Sequence, residues 1–305
     1  AVAATALRSR TVDWMLQVVP DQAVALATDP SLRVSAHPEP AVRTIIFNVR
    51  PGRVFADAVA RRAFALCLDR DVLVRDATAG AALSAHVETG PRSWAVAGAA
   101  PPIAPDPGGA ATLLETAGWA RDDDGIFSRD GERLSGLIYV RPSRVDLLAF
   151  ARAASEALRV CGIDLQVVEQ DQPGDLLLGQ LQWPNDFETV LVTRPVGVDP
   201  DIDFQAFAGD HVTSAENPAD ANPGGYASVT LDRLLAEART STDSNGRAAL
   251  YAQVADRLAQ EVPSYPIWYD ASFAAISSIV RAEGADVDLQ RPRYWWSAWS
   301  WDLAP

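Results

Sequence analysis

A strand, a helix and a second strand follow one another in the middle of the chain, and this order constrains the fold more than any other feature. Residues 134–140 form an apolar run, residues 144–161 place apolar side chains at helical spacing before Gly162, and residues 163–168 alternate and then become apolar. Two strands joined by a crossover helix pair in parallel, with the helix packed on the sheet. The sequence therefore predicts an α/β fold.

Segments on both sides fit the same fold class. Residues 44–49 and 265–269 are short apolar runs bounded by turn or proline signals, which predicts two buried strands. Helical spacing of apolar residues predicts a helix over residues 57–75 and two more helices between residues 229 and 261. The tail, residues 285–305, is rich in tryptophan and is predicted to be irregular.

Length and charge limit the classes of protein that this chain can represent. A chain of 305 residues with 48% hydrophobic residues is too long for one ordinary core, so we expect two lobes. The formal net charge of −14 argues against a nucleic-acid partner, because binding to phosphates requires a basic surface. The sequence contains no apolar run of about 18 residues, so no membrane span is predicted.

The two cysteines, Cys67 and Cys161, lie in apolar helical patterns and form no C-x-x-C motif. A zinc or redox motif is therefore not indicated. Two interpretations stay open at this point. Each cysteine is a small buried apolar residue, or the pair forms a disulfide in an oxidising compartment.

No local motif for catalysis or for metal binding is present. The three histidines are not spaced as in H-E-x-x-H, and neither a G-x-S-x-G elbow nor a phosphate-binding loop occurs. Asp199, Asp201 and Asp203 alternate like the start of a calcium loop but lack its glycine and distal glutamate, so a helix start is the better interpretation. The motifs therefore predict neither a cofactor nor a metal ion, and they do not indicate an enzyme.

Several short motifs follow one another in a fixed order along nearly the whole chain. They lie at residues 43–48, 55–57, 61–70, 113–119, 124–125, 130–131, 158–163, 199–201, 222–226, 231–235, 247–251 and 262–267. Single pieces are common in turns, whereas the whole series in order is a specific signal. The series resembles that of the family 5 extracellular solute-binding proteins, which serve peptide, nickel and related ABC importers.

This resemblance implies a two-lobe fold of the periplasmic-binding-protein type, class II, with a ligand enclosed between the lobes. Because family members are generally longer, we expect residues 1–45 to be a remnant of the first lobe and residues 46–269 to be a nearly complete C-terminal lobe. Residues 270–305 would return to the first lobe. It also implies an extracytoplasmic, lipid-anchored protein that works with a membrane ABC permease.

The same resemblance places the end of the strand before Pro200 in the ligand cleft. Peptide-binding members carry an aromatic residue there, followed by an aspartate that pairs with the amine of the peptide. Counting back from Pro200, these positions hold Thr193 and Val196, so no carboxylate is present for an amine. Arg194 has donors for a carboxylate, a phosphate or hydroxyl groups, or it pairs with a nearby aspartate.

The predicted ligand-binding set is completed by three further residues. Asp199 belongs to the same segment, and Trp183 and Trp94 lie on predicted loops. Loop tryptophans either stack on a ligand or fill the core and its rim, and the sequence does not separate the two roles.

Two functions remain open from the sequence. The first is the extracytoplasmic solute-binding component of an ABC importer, which binds a small peptide-like or other polar ligand. The second is a non-transport lipoprotein on the same scaffold, which binds partners or regulates in cell-envelope assembly, for example of lipoglycan. A hydrolase is a third class, and no local motif supports it.

Overall fold

The computed structural model describes residues 2–18, 20–91, 93–96, 102–169, 180–289 and 294–303. The chain divides into two compact units. Unit 1 combines Ala1–Glu39 with Asp270–Pro305, and unit 2 is Pro40–Tyr269. The assignment of these units to the lobes implied by the resemblance stays a prediction.

Helices and strands alternate through the described residues. The helices are α1 Val2–Arg8, α2 Pro20–Ala27, α3 Ala58–Leu66, α4 Arg70–Ala77, α5 Pro107–Thr116, α6 Val145–Cys161, α7 Pro200–Phe204, α8 Val229–Thr240 and α9 Ser244–Glu261. The strands are β1 Trp14–Val18, β2 Leu32–Phe47, β3 Leu83–Ser84, β4 Ala120–Arg121, β5 Phe127–Arg129, β6 Glu132–Arg133, β7 Ser135–Val140, β8 Asp164–Glu169, β9 Thr189–Pro195, β10 Ser264–Ser277, β11 Val280–Ala282, β12 Ala285–Asp286 and β13 Trp301–Leu303.

The predicted parallel pair is confirmed and forms one edge of the sheet in unit 2. β7 and β8 pair in parallel from Ser135 opposite Asp164 to Val140 opposite Glu169, and α6 connects them. α6 ends at Gly162, whose φ of 93° is left-handed. A side chain at this glycine would approach the Gly125 carbonyl to 2.9 Å, so both the backbone angle and the space require glycine here.

Three further strands, β9, β2 and β10, continue the sheet on the other side of β7. β9 runs parallel to β7, and β2 runs antiparallel to β9 from Ala41 opposite Pro195 to Phe47 opposite Thr189. β10 lies next to β2 in the order of the sheet. The carboxyl ends of β7 and β9 therefore lie at the same edge, where open α/β sheets bind their ligands.

Two predicted elements of unit 2 differ in extent from those in the structure. The predicted helix over residues 57–75 is two helices, because the chain leaves α3 after Leu66 and the Asp69 side chain caps α4 by accepting from the Val72 N–H. The predicted strand at residues 44–49 is the end of the 16-residue strand β2. Pro38 and Pro40 lie in β2, and prolines usually argue against a strand in sequence analysis.

The end of the chain is more regular than predicted. β11 pairs with both β12 and β13, so the segment expected to be irregular contains two short strands. The strand predicted at residues 265–269 also continues to Ser277 as β10. In unit 1, this second half of β10 pairs with β1, with Trp14 opposite Ile276.

Each unit has its own apolar core. In unit 2, Phe47, Phe55 and Phe64 pack as a ring cluster, with centroids 4.9 and 5.0 Å from Phe47 to the other two. In unit 1, Leu7 and Leu26 are fully buried in a smaller core. None of the helices in the described residues combines the length and hydropathy needed to span a membrane.

Cys67 and Cys161 form a disulfide, which settles the alternative left open by the sequence. The bond joins the residue after α3 to the last residue of α6, with a Cα–Cα distance of 6.1 Å. It closes a loop of 94 residues within unit 2. A structural disulfide is typical of proteins outside the reducing cytosol.

Removing this disulfide should lower the free energy of unfolding by about 2–4 kcal/mol, because the unfolded chain gains the entropy of an open loop. Guanidinium unfolding of the wild type with and without a thiol reductant measures the effect. A double variant, Cys67→Ala with Cys161→Ala, is the control and should not respond to the reductant. Equal unfolding midpoints for the oxidised and reduced wild type would contradict this expectation.

Candidate ligand-binding site

Arg194 lies near the carboxyl end of β9, and its guanidinium is bonded within unit 2. Nη1 donates to the Asp203 carbonyl at 2.5 Å, and Nη2 donates to the Glu88 carbonyl at 2.9 Å and to the Glu88 carboxylate. Three of the five N–H donors of this arginine are thereby used. The Arg194 side chain is 14% exposed and that of Glu88 4%, so this is a buried ion pair.

Glu88 connects Arg194 to two other strands. Its carboxylate accepts from the Thr44 hydroxyl of β2 at 2.9 Å and from the Ser264 hydroxyl of β10. The backbone around Glu88 is fixed by Tyr269, whose hydroxyl donates to the carbonyl of Thr89 at 2.6 Å. The buried polar cluster, defined as Thr44, Glu88, Arg194, Asp203 and Ser264, therefore holds β2, β9 and β10 to one another.

Asp203 is the second buried carboxyl of this cluster. Its Oδ1 accepts from the Gly197 N–H at 2.6 Å, whereas Oδ2 has no hydrogen-bond partner in the described part of the chain. Burial raises the pKa of the Asp203 carboxyl to about 6, although the Gly197 N–H and the Arg194 charge favour the ionised form. Since Gly197 follows β9, Asp203 fixes the path of the chain directly after the predicted ligand segment.

The other predicted residues of this segment have different environments. Thr193 is exposed and lies opposite Arg43 in the pairing of β2 with β9. Val196 is buried against Val42, Ala85 and Tyr269. Val196 is thus part of an apolar cluster in unit 2.

Asp199 begins α7, as the helix-start interpretation predicted. Its side chain accepts from the Asp201 N–H at 3.0 Å and forms two bonds with the Arg247 guanidinium, at 2.8 and 2.9 Å. Asp201 pairs with Arg239 at 2.8 Å. Among the described residues, no group of three or more His, Cys, Asp or Glu side chains is placed to hold a metal ion.

The two tryptophans of the predicted set, Trp94 and Trp183, contact residues outside the buried polar cluster. Trp94 packs edge-on against Tyr251 with ring centroids 5.9 Å apart, and Arg247 lies 5.4 Å from its centroid. Trp183 is exposed, and the Arg50 guanidinium lies 5.9 Å from its ring centroid. Their part in ligand binding stays a prediction.

A pocket of about 520 Å³ lies within unit 2 at the carboxyl end of β7. We call it the strand-end pocket. Its volume is in the range of small-molecule sites, and no carboxylate is among the described residues that line it. The lining residues with polar side chains are Arg43, Tyr139, Arg141, Ser143, Arg144 and Thr193.

Three arginines, Arg43, Arg141 and Arg144, line the strand-end pocket. Arg144 is paired with Asp146 at 2.7 Å, whereas the exposed Arg141 guanidinium has no partner in the described ranges. The pocket also includes the beginning of α6, whose N-cap residue Arg144 makes no side-chain capping bond. The partial positive charge of a helix N-terminus adds to that of the arginines.

A second pocket, of about 250 Å³, shares Thr193 with the strand-end pocket and is also lined by Arg194. The strand β9, which was predicted from the sequence, therefore borders both pockets. Glu88, Arg43, Arg141 and Arg144 were not predicted as site residues. Only Arg141 carried a usable signal, because it directly follows a predicted strand and precedes a predicted helix.

A model of the bacterial extracellular solute-binding proteins, family 5 Middle, matches residues 1–210. The chain belongs to this family. The family is one of extracellular solute-binding proteins, which agrees with the resemblance found in the sequence.

Relatives of this family 5 chain include the oligopeptide-binding protein AppA of Bacillus subtilis, which is 24% identical over 255 residues, or 80% of this chain and 45% of AppA. Protein XP55 of Streptomyces lividans is 29% identical over 276 residues, or 87% and 46% of the two chains. An uncharacterized lipoprotein of Mycobacterium tuberculosis is 26% identical over 311 residues, or 97% and 49%. The chain spans about half the length of the curated relatives it matches.

Solved structures show the same fold. NikZ from Campylobacter jejuni in complex with Ni(L-His) has a TM-score of 0.71 at 21% identity, covering 99% of this chain and 59% of NikZ. The periplasmic murein tripeptide binding protein MppA has a TM-score of 0.77 at 17% identity, covering 92% and 52%. The predicted α/β fold of the periplasmic-binding-protein type is confirmed.

Glu88→Gln should destabilise the protein by roughly 3–5 kcal/mol, because it leaves the buried Arg194 charge without its carboxylate. Chemical denaturation of the variant and the wild type measures this difference. Glu237→Gln is the matched control, since it breaks an exposed pair with Arg233 that is worth at most about 1 kcal/mol. Similar small losses for both variants would show that the Glu88 pair does not stabilise the fold.

Asp203 should make stability fall as the pH rises. Its pKa is 3.8 in an unfolded reference and about 6 in the fold, so the folded protein binds the proton more tightly. The contribution of the Asp203 proton to the free energy of unfolding is complete below about pH 4. It declines as the pH rises towards 6 and is absent above that pH. Between the two limits the free energy of unfolding falls by about 3 kcal/mol.

The measurement is the free energy of unfolding of the wild type and of Asp203→Asn between pH 4.5 and 7.5. Other carboxyls titrate in both proteins, so the difference between the two isolates Asp203. The wild type should lose stability relative to the variant as the pH rises. A difference that does not change with pH would contradict the raised pKa.

Proposed function

We propose that this chain is part of the extracytoplasmic solute-binding component of an ABC importer, and that its ligand is a small solute with an anionic group. Such a solute is peptide-like or another polar molecule. Membership in a family of extracellular solute-binding proteins supports the general role. The arginine-lined strand-end pocket supports the choice of an anion.

The observation that carries this proposal is the exposed, unpaired guanidinium of Arg141 in the described part of the chain. It is an exposed guanidinium at the end of β7, it has no partner among the described residues, and it lines a pocket without a described carboxylate. A guanidinium binds a carboxylate or a phosphate through two parallel hydrogen bonds. The Thr193 and Ser143 hydroxyls of the same pocket provide further hydrogen bonds to such a group.

The predicted ligand segment supports the same choice. Val196 stands where a carboxylate would receive a peptide amine, and it is buried in an apolar cluster. An amine at this point would lose its hydration without gaining a partner. Recognition of the solute through an anionic group avoids this cost.

Arg194 contributes to the proposed site mainly by fixing β9. With three donors already bonded, its Nε–H and one Nη1–H remain for a solute in the smaller pocket. Thr193, the preceding residue, lies in both pockets and is the direct contact that we propose from this strand.

The proposed role implies a membrane ABC permease as partner and a lipid anchor in the full-length protein. The disulfide between Cys67 and Cys161 supports an extracytoplasmic location, because thiols stay reduced in the cytosol. The mycobacterial relatives are named lipoproteins, which supports the anchor.

A second function has one specific observation in its favour. Uncharacterized mycobacterial lipoproteins match 97% of the chain, a larger share than the oligopeptide-binding protein AppA does. A non-transport lipoprotein that acts through protein contacts in envelope assembly is therefore the alternative. It predicts no saturable stabilisation by any small solute, whereas a solute at a hundredfold above its Kd raises stability by about 2.7 kcal/mol.

Arg141→Ala should weaken binding of the anionic solute by about 1.5–3 kcal/mol, or roughly 10- to 150-fold, because a charge-assisted hydrogen bond is lost. The full-length protein is first screened by thermal unfolding against short peptides, dicarboxylates and sugar phosphates, and hits are titrated by calorimetry. Arg152→Ala on the exposed face of α6 is the control and should leave the affinity unchanged. Tight binding of neutral solutes, or equal affinity of the two variants, would contradict an anionic ligand.

A further inference from the structure

A separate cavity of about 50 Å³ lies inside unit 2 and shares no lining residue with the strand-end pocket. We call it the Arg70 cavity. Its lining includes the apolar residues Ile103, Phe204 and Leu258 together with Arg70 and His86. A water molecule needs about 10–15 Å³ of such space, so the cavity holds a few waters or one very small solute.

Arg70 is a buried cation without a carboxylate at ion-pair distance in the described part of the chain. The residue is 7% exposed, its guanidinium carbon lies 4.1 Å from the centroid of the Tyr265 ring, and Nη1 lies 2.7 Å from His86 Nδ1. Its Nε–H has no hydrogen-bond partner there. The aromatic ring offsets part of the cost of burying this charge, but it supplies no counter-ion.

His86 does not supply the missing negative charge. Burial and the Arg70 charge lower the pKa of His86, so the ring is neutral at neutral pH. Its Nδ1 then accepts from Arg70, and its Nε2–H donates to Asp71 Oδ1 at 3.3 Å. Asp71 is an exposed residue that reaches Arg70 only through the imidazole.

Glu88 also lines the cavity, but its carboxylate is already used. It accepts from Arg194, Thr44 and Ser264 in the buried polar cluster. One arginine thus balances Glu88, and the second arginine, Arg70, faces the same cavity without an anion of its own. An unbalanced buried charge normally costs several kcal/mol, which an anion in direct contact would offset.

We infer that the Arg70 cavity is a second binding site, specific for a small carboxylate of about the size of acetate. The carboxylate would pair with the Arg70 guanidinium, and the methyl group would contact the apolar wall. The volume excludes a peptide, so this ligand differs from the solute of the strand-end pocket. The site would join α4 to β10 by balancing the charge that lies between them.

The probe is sodium acetate added to the full-length protein, with sodium sulfate at equal ionic strength as the control for salt, since sulfate has no apolar end. NMR of the His86 imidazole nitrogens is the readout. Saturable acetate-dependent shifts are expected, with a higher His86 titration midpoint at saturation, because the bound anion cancels the Arg70 charge that depresses this pKa. Asp71, the other charged group in contact with the ring, acts on this pKa in the opposite direction to Arg70 and raises it.

Arg70→Gln should abolish the acetate response, whereas Arg75→Gln, an exposed arginine on the same helix, should keep it. Ala259→Leu, the filling variant, puts a larger side chain at the lining of the cavity while Arg70 is kept, and it should abolish the response as well. If Arg70→Gln does not fold, the filling variant and a crystal structure of the wild type in acetate decide the matter. Ordered water only beside Arg70, or an unchanged His86 signal in acetate, would overturn the assignment.

Discussion

The buried ion pair between Arg194 and Glu88 is the interaction on which the candidate site depends. A charge pair at this depth is costly to desolvate. It is tolerated because each carboxylate oxygen and most N–H groups find partners on β2, β9, β10 and α7 and at the Glu88 backbone. These bonds fix how β9 ends. They place Thr193 at the pocket and keep Arg194 itself largely withdrawn from a ligand.

The proposed site binds a ligand of the same sign of charge as the chain as a whole. The net charge of −14 repels an anion at a distance, so long-range steering does not assist capture. At the pocket, the local arginines and the start of α6 determine the sign of the potential, since interactions between exposed charges fade beyond about 10 Å at 0.1 M salt. In the proposed site, selectivity for an anion would therefore depend on a few residues and not on the composition.

Sequence analysis succeeded where the information is local. The β7–α6–β8 unit was predicted from hydrophobic periodicity and from Gly162, whose left-handed backbone is a local requirement of the helix end. Glu88 could not be predicted, because it follows the two-residue strand β3 in a loop and gains its role only through partners 44, 106 and 176 residues away. The full length of β2 could not be predicted, because Pro38 and Pro40 lie within it. A strand tolerates proline only where the missing N–H group is not needed for pairing with a neighbouring strand.

A crystal structure of the full-length protein with its solute bound is the most direct test of this arrangement. The anionic group of the solute should contact Arg141 and Thr193 in the strand-end pocket, while Arg194 keeps its bonds to Glu88 and to the Asp203 carbonyl. A solute held by Arg194 after release of Glu88, or one bound away from the carboxyl ends of β7 and β9, would contradict it.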